Sequence, residues 1–260
     1  MKTDKKIGIA LSGGGARGIA HIGVLKALEN NHIFPSYIAG TSAGSIVGAL
    51  YAAGHSPKKM MEIAKVASLF KIFKMGIPYA GLTKLTYLKE VLSANIESDS
   101  FEALQKKLFV TISNLNTGTI EWRSSGPLFD VVTASCSIPL LFQPVEMDGQ
   151  LYVDGGLLDN LPVEPLHGKV DIIIAVNVMP NIALETKNIQ NVFSIAMRCF
   201  DLSILANSRP NLKLCDFLIE PKELNDYNIF QFSSYQEMYE IGYKAAAAQI
   251  GAIKTLIDNA

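Results

Sequence analysis

Two short apolar runs early in the chain, Ile7 to Leu11 and Tyr37 to Ala39, each end in a glycine-rich turn that opens straight into a helical pattern. The first turn is Ser12-Gly-Gly-Gly-Ala-Arg-Gly18. The helix expected after it runs from Ile19 to Asn30, with Ile22, Leu25, Ala27 and Leu28 at helical spacing. The second turn is Gly40-Thr-Ser-Ala-Gly44, and its helix is expected from Ser45 to about Ala53, closed by Gly54. Strand, helix, strand and helix in that succession predict a parallel sheet with helices packed against it, an α/β fold. A later run from Val170 to Val178, centred on Ile-Ile-Ile-Ala-Val-Asn-Val, is almost continuously apolar. A strand buried on both faces of a parallel sheet reads that way.

The rest of the chain alternates in the same manner. Pro57 starts an amphipathic basic segment with Ile63, Val66, Phe70, Phe73 and Ile77 at three- and four-residue spacing, and Lys65, Lys71 and Lys74 at other positions. Such a helix packs on a core, or serves as a lid or lipid-facing surface over residues 57–80. A further helix is expected over Thr83 to Asn95. Leu108 to Ser113 and Thr119 to Trp122 read as a hairpin around Asn116-Thr-Gly118, and Phe129 to Ala134 as a helix. Val145 to Met147 and Leu151 to Val153 flank Asp148-Gly149, a hairpin signal. A helix over Ile189 to Leu205, a strand over Leu214 to Ile219 and a closing helix over Tyr235 to Leu256 complete the pattern. With no internal repeat and no linker, 1–260 reads as one domain, and 260 residues suffice for a sizeable core.

The 23 basic and 24 acidic side chains leave a net charge of -1, which gives no electrostatic case for nucleic acid. Cys136, Cys199 and Cys215 are an odd, sparse set without a CxxC pair, which points to a reducing compartment. The N-terminal apolar run leads directly into the first expected strand rather than to a cleavage site, and no apolar stretch is long enough to span a bilayer. The expected location is cytoplasmic, with peripheral contact at the inner membrane face.

Gly13, Gly15 and Gly18 satisfy the G-x-G-x-x-G pattern of dinucleotide sites. Such sites place an acidic residue at the end of the second strand for the ribose hydroxyls. Here that strand ends Ile38-Ala-Gly-Thr41, with no acid. A Walker A loop is excluded because Ile19, not lysine, follows Gly18. Another use of the loop is to converge backbone N–H groups on a developing oxyanion, reinforced by the helix N-terminus. Arg17 then contributes charge or pairs with an acid. A plain tight turn is the structural alternative.

Gly40, Ser42 and Gly44 match G-x-S-x-G between a strand and a helix, where a sharp elbow exposes the serine hydroxyl. The competing reading is an N-cap, Thr41 or Ser42 capping the following helix. A nucleophilic serine needs a base. His21, His32, His55 and His167 are the only histidines, and none is well placed: His167 precedes the long buried strand, and His21 follows the glycine loop. Asp154, in Tyr152-Val-Asp-Gly-Gly156, is the better partner, since two glycines after the strand leave its carboxylate accessible. An aspartate near its ordinary pKa of about 4 is a weak base, so much of the barrier lowering would fall to the oxyanion site.

Taken in order, SGGGARG, GTSAG and DGG resemble the patatin-like phospholipase family of lipid acyl hydrolases, over roughly Lys6 to Val178. The resemblance implies a three-layer α/β/α sandwich with a mostly parallel central sheet. It implies a Ser-Asp dyad of Ser42 and Asp154, and an oxyanion element at Gly13, Gly14, Gly15, Ala16, Arg17 and Gly18. Gly40 and Gly44 then shape the elbow, and Gly155 and Gly156 the turn after the aspartate. The segment Ala134-Ser-Cys-Ser-Ile-Pro139 with Leu-Leu-Phe-Gln-Pro144 resembles the stretch that helps line the site. No metal or cofactor is implied. The acyl chain needs an apolar wall, for which Leu69, Phe70, Phe73, Met75 and Ile77, with Leu140, Leu141 and Phe142, are the candidates. A thioesterase or small-ester hydrolase, and a non-catalytic lipid-binding module, remain as alternative readings.

Overall fold

The computed structural model describes residues 5–66, 84–179 and 183–260. Its centre is a sheet in which β1 (Ile7–Leu11) lies between β2 (Tyr37–Thr41) and β7 (Ile172–Val176), all parallel. Beyond β7 lies β8 (Phe217–Ile219), and beyond β2 lies β3 (Lys107–Asn114), both again parallel to their neighbours. All five residues of β1 and all five of β7 are buried, as strands covered on both faces must be. Along them Ile9, Leu11, Ile172 and Ile174 point into one apolar core, while Ala10, Ile173 and Ala175 point into a second, smaller one. The fold is a three-layer α/β/α sandwich with a largely parallel sheet.

The larger core is covered by α1 (Ile19–Asn30), α2 (Ala43–Ala52), α3 (Pro57–Val66), α4 (Thr86–Asn95) and α5 (Leu128–Ser135), with α7 (Tyr235–Ala247) packed along α1. On the other face lie Leu161, Val163 and Leu166 from the chain after the last antiparallel strand, with Leu212 from the end of α6 (Val192–Asn211). The chain closes with α8 (Ile250–Asn259).

Three antiparallel strands adjoin β3: β4 (Ile120–Arg123) and β6 (Gln150–Asp154) pair with it, and β5 (Val145–Met147) pairs with β6. Their registers decide where the chemistry sits. Residues 110–113 of β3 face β4, residues 107–111 face β2 and residues 112–114 face β6. A strand residue has one neighbour on each side, so β2 and β6 share the flank opposite β4. They meet end to end: Thr111 pairs with Thr41, and the next residue, Ile112, pairs with Asp154.

Several boundaries differ from those expected. The helix after GTSAG starts at Ala43, not Ser45, because the elbow is tighter than a capped junction. The long helix begins at Val192, where Asn191 and Ser194 form a capping box, and continues past Leu205 to Asn211. The closing helix breaks into α7 and α8 at Ala248 and Gln249, where Gln249 leaves helical geometry. The long apolar run holds a strand only over Ile172–Val176, and the strand expected from Leu214 starts at Phe217. Asp148 and Gly149, at φ 53° and 73°, make the tight hairpin turn that their sequence indicated. Of the amphipathic segment 57–80, only α3 is described; Leu69, Phe70, Phe73, Met75 and Ile77 lie outside the described residues. Among the described residues no helix is long and apolar enough to cross a membrane.

The helix α2 runs close beneath the end of β1. A methyl group on Gly44 would collide with the backbone oxygens of Leu11 and Ser12, which cannot swing aside as a side chain could. Gly44→Ala should therefore lower unfolding stability by about 1–3 kcal/mol. Urea denaturation checks this; an unchanged midpoint and slope would show that the elbow has room to relax.

Candidate active site

Ser42 sits between β2 and α2 at φ 52° and ψ -124°, a backbone state that a side-chain-bearing residue adopts at a cost of about 1–3 kcal/mol. Its surroundings over-determine that state. The Ser42 N–H donates to Ser135 Oγ at 2.9 Å. Its carbonyl accepts from the N–H of Ser45 at 2.8 Å and from the Ser45 hydroxyl at 2.6 Å. The Ser42 side chain makes no capping bond to its own helix. It interacts instead with the Asp154 carboxylate, and it faces a cavity. The N-cap reading is set aside for both candidates: the Ser42 hydroxyl makes no capping bond, and the Thr41 hydroxyl donates to the Asp159 carbonyl at 3.0 Å.

Asp154 ends β6 and is almost fully buried. Burial pushes its pKa up to about 7, although hydrogen bonds from Ser42 and the Gly156 N–H act in the opposite direction. The Gly156 N–H reaches Asp154 Oδ1 at 2.8 Å. The segment after α5 holds both residues at once: Ser135 accepts from the Ser42 backbone, and the Ser137 carbonyl accepts from the Asp154 N–H at 3.0 Å. Ser113 of β3 donates to the Asp154 carbonyl at 3.0 Å.

The turn after Asp154 is tied to α6 by a ladder of polar side chains on one side of that helix. Ser203 donates to the Leu157 carbonyl at 2.7 Å, and Asn207 donates to the Gly156 carbonyl at 2.9 Å and accepts from the Asn160 N–H at 2.9 Å. Asn211 donates to Asp159 Oδ1 at 2.8 Å and to the Leu161 carbonyl at 2.9 Å. The buried Asp159 also accepts from Trp122 Nε1 at 2.9 Å, and burial lifts its pKa to about 6. This ladder escaped the sequence reading. Its visible signal was the i, i+4, i+8 spacing of Ser203, Asn207 and Asn211 in a helix otherwise rich in apolar residues.

The glycine loop crosses above the elbow. Gly15 adopts φ 56° and lies against the Ile229 carbonyl, an approach that leaves no space for a side chain. The N–H groups of Gly13 and Ala16 are already used, on the Asn160 and Ile229 carbonyls at 3.1 and 2.8 Å. Those of Gly14 and Gly15 have no acceptor among the described residues. Arg17 points away from the serine: its Nε and Nη2 donate to the Tyr227 carbonyl at 2.8 and 2.6 Å. Gly18 packs on Ala43 at the start of α2.

His21 lies fully buried beneath the loop, bonded through Nε2 to the Ser12 carbonyl at 2.8 Å. A carbonyl only accepts, so Nε2 carries the proton. Burial lowers the pKa of His21 to about 4, which keeps the ring neutral. His55 bonds the Asn95 carbonyl, and His32 and His167 are exposed. None of the four is placed as a base for Ser42.

The cavity in front of Ser42 is apolar. Among the described residues, Gly15, Gly18, Ile22, Ile46, Met60, Leu88 and Ile138 contribute to its walls, so it is framed by the inner faces of α1 to α4. Cys136 lines it as well, its thiol near Ser45 Oγ and its pKa raised by burial and then by Asp154. Leu140, Leu141 and Phe142 are not among its lining residues: Leu140 is exposed at φ 72°, and Phe142 is buried in the core.

The sequence profile described as patatin-like phospholipase matches residues 9–167. A lysophospholipase nte1 of Neosartorya fischeri is 29% identical over 284 residues, covering 96% of this chain and 18% of its own length. An uncharacterized NTE family protein of Mycobacterium tuberculosis (strain H37Rv) is 33% identical over 182 residues, covering 67% of this chain and 49% of its own length. The chain thus spans less than half of either relative. Among solved structures, human GIVD cytosolic phospholipase A2 superposes with a TM-score of 0.53 at 11% identity, covering 98% of this chain and 60% of that one. VipD from Legionella pneumophila gives 0.50 at 16% identity, covering 91% and 67%. At these identities the two structures share the fold.

The raised pKa of Asp154 has a stability consequence of definite sign. In the unfolded chain the group ionises near 4, and in the folded protein near 7, so its contribution favours folding at low pH and is lost as pH rises through about 7. Asp154→Asn should therefore melt about 5 °C above the wild type near pH 8, and the gap should close on acidification towards pH 5. Thermal unfolding of both proteins across that range checks this; a gap that widened on acidification would contradict it.

Proposed function

The chain belongs to the patatin-like phospholipase family, and on that premise we propose that it is a serine acyl hydrolase that cleaves carboxylic ester bonds of lipids. The observation that carries the reading is the juxtaposition of Ser42, held on a strained elbow, with the buried Asp154 carboxylate at the head of an apolar cavity. The names of the fungal relative and of the human structure, a lysophospholipase and a phospholipase A2, agree with a lipid ester as the substrate class.

In the proposed reaction the acyl chain enters the cavity and places its carbonyl beside Ser42 Oγ. Asp154, ionised above its pKa of about 7, accepts the hydroxyl proton as the oxygen attacks. The same burial that makes this carboxylate costly to ionise makes it a stronger base than an ordinary aspartate. The N–H groups of Gly14 and Gly15, which have no acceptor among the described residues, are donors for the developing oxyanion. Asp154 returns the proton to the departing alcohol. A water then attacks the acyl-serine, giving its proton to Asp154, which passes it back to Ser42 as the fatty acid leaves. Arg17 serves the loop rather than the oxyanion, by anchoring it to the 227–229 segment. His21 does so from below, through Ser12.

A panel of acyl esters from butyrate to palmitate tests the reading. Ser42→Ala should lower kcat/KM on every ester at least about a thousandfold, with the melting temperature retained. Ala64→Phe, which adds bulk to a half-buried wall position of the cavity, should cut turnover of palmitate about tenfold and leave butyrate within about twofold. Full activity in Ser42→Ala would overturn the assignment, and equal losses on all chain lengths in Ala64→Phe would remove the cavity from it.

A further inference from the structure

Helix α6 turns an apolar face to water. Val192, Ile195, Cys199, Leu202 and Ala206 recur at three- and four-residue spacing, and all five are exposed, Val192 at 85% and Ile195 and Leu202 at 48% each. A surface helix normally reverses this, with charges outward and apolar residues inward. The charged residues of α6 are Arg198, Asp201 and Arg209. Arg198 and Asp201 line a groove beside Arg17, and Arg198, three residues from Ile195 and four from Leu202, borders the apolar stripe. The helix cannot roll to hide the stripe, because Ser203, Asn207 and Asn211 are committed to the turn after Asp154 and Ile204 is buried.

The stripe does not end on the helix. At its N-terminal end Phe193 borders the same groove, with Leu184 and Phe230 from two other segments, each about 40% exposed. Arg17 of the glycine loop also lines this groove, while Gly15 and Gly18 of the same loop line the cavity at Ser42. The loop is thus a wall shared by the groove and the cavity. Arg198 and Arg209 against Asp201 leave α6 one positive charge in excess, which favours an anionic surface.

We propose that the outward face of α6, with Leu184 and Phe230, docks the protein on a phospholipid bilayer so that lipid enters beside the glycine loop. The inference rests on the lipid-ester reading for its purpose, but its test does not need turnover. A bilayer fits better than a second copy of the chain, because the stripe runs on into the groove whose wall, the glycine loop, also bounds the cavity at Ser42, and a bilayer takes up exposed aliphatic side chains without a matching surface. Partial insertion of aliphatic and aromatic side chains, flanked by cationic groups, is how an interfacial helix holds a membrane.

The test is co-sedimentation of the full chain with phosphatidylcholine vesicles, with and without phosphatidylglycerol. Wild type should bind, and more tightly with phosphatidylglycerol present. The triple variant Val192→Asp, Ile195→Asp and Leu202→Asp should bind at least about tenfold more weakly, because each exposed apolar contact is replaced by a charge that anionic lipid repels. Its turnover of a short soluble ester should stay within about twofold of wild type, which separates loss of docking from failure of the hydrolase reading. As an independent check, Leu202→Trp should show a blue-shifted emission on adding vesicles. Binding unaltered by the triple variant, or an unshifted Leu202→Trp, would overturn the proposal. So would a wild-type dimer in light scattering that the triple variant dissociates, which would make the stripe a subunit interface.

Discussion

The register of β3 is the constraint on which the site depends. Consecutive residues of that strand, Thr111 and Ile112, pair with the last residue of β2 and the last residue of β6. One chain arrives parallel and the other antiparallel, so the two ends meet head-on on one flank of the sheet, about one residue rise apart. Ser42 follows Thr41 directly, and Asp154 is itself the end of β6. Residues more than a hundred positions apart in sequence are thereby brought side by side by the strand pairing. A slip of one residue in either pairing would turn the side chains to the other face and separate them.

Around that junction the surrounding chain suppresses the freedom that would otherwise relax it. The unfavourable backbone of Ser42 persists because Ser45 and Ser135 fix it from two sides. The aspartate stays in place although its charge is poorly solvated, since Ser137, Ser113 and Gly156 bind its backbone or its carboxylate. The two costs serve one end. Strain exposes the hydroxyl, and desolvation makes the neighbouring carboxylate a base matched to neutral pH. Helix α6 joins this arrangement through Asn207 and Ser203, so that a surface helix and the aspartate turn behave as one piece.

Much of this was legible in the sequence, and the parts that were not share a cause. Short apolar runs with glycine turns are local signals, and they indicated the central strands, the elbow and the Asp-Gly-Gly turn. The supports of the site are long-range, and no local pattern announces that Ser135 will face Ser42 or that Asn207 will face Gly156. The walls of the cavity are the inward faces of ordinary amphipathic helices, which look the same in sequence whether they enclose a cavity or fill a core. Leu140 and Phe142 are expected in the cavity wall because residues 134–144 resemble a stretch that helps line the site. The backbone turns at Leu140, which sends one outward and the other into the core. The break between α7 and α8 falls in Ala-Ala-Ala-Ala-Gln-Ile, where helical propensity runs on unbroken.

The coupling of Ser42 to Asp154 is tested most directly by the rate at which a fluorophosphonate labels Ser42, followed by mass spectrometry as a function of pH. Labelling needs the activated hydroxyl but neither lipid docking nor deacylation. The rate should rise with pH as a single ionisation near 7, and Asp154→Asn should abolish both the labelling and the dependence. Labelling of Asp154→Asn at the wild-type rate, or a wild-type rate that does not change between about pH 5 and pH 9, would show that the buried carboxylate is not the base.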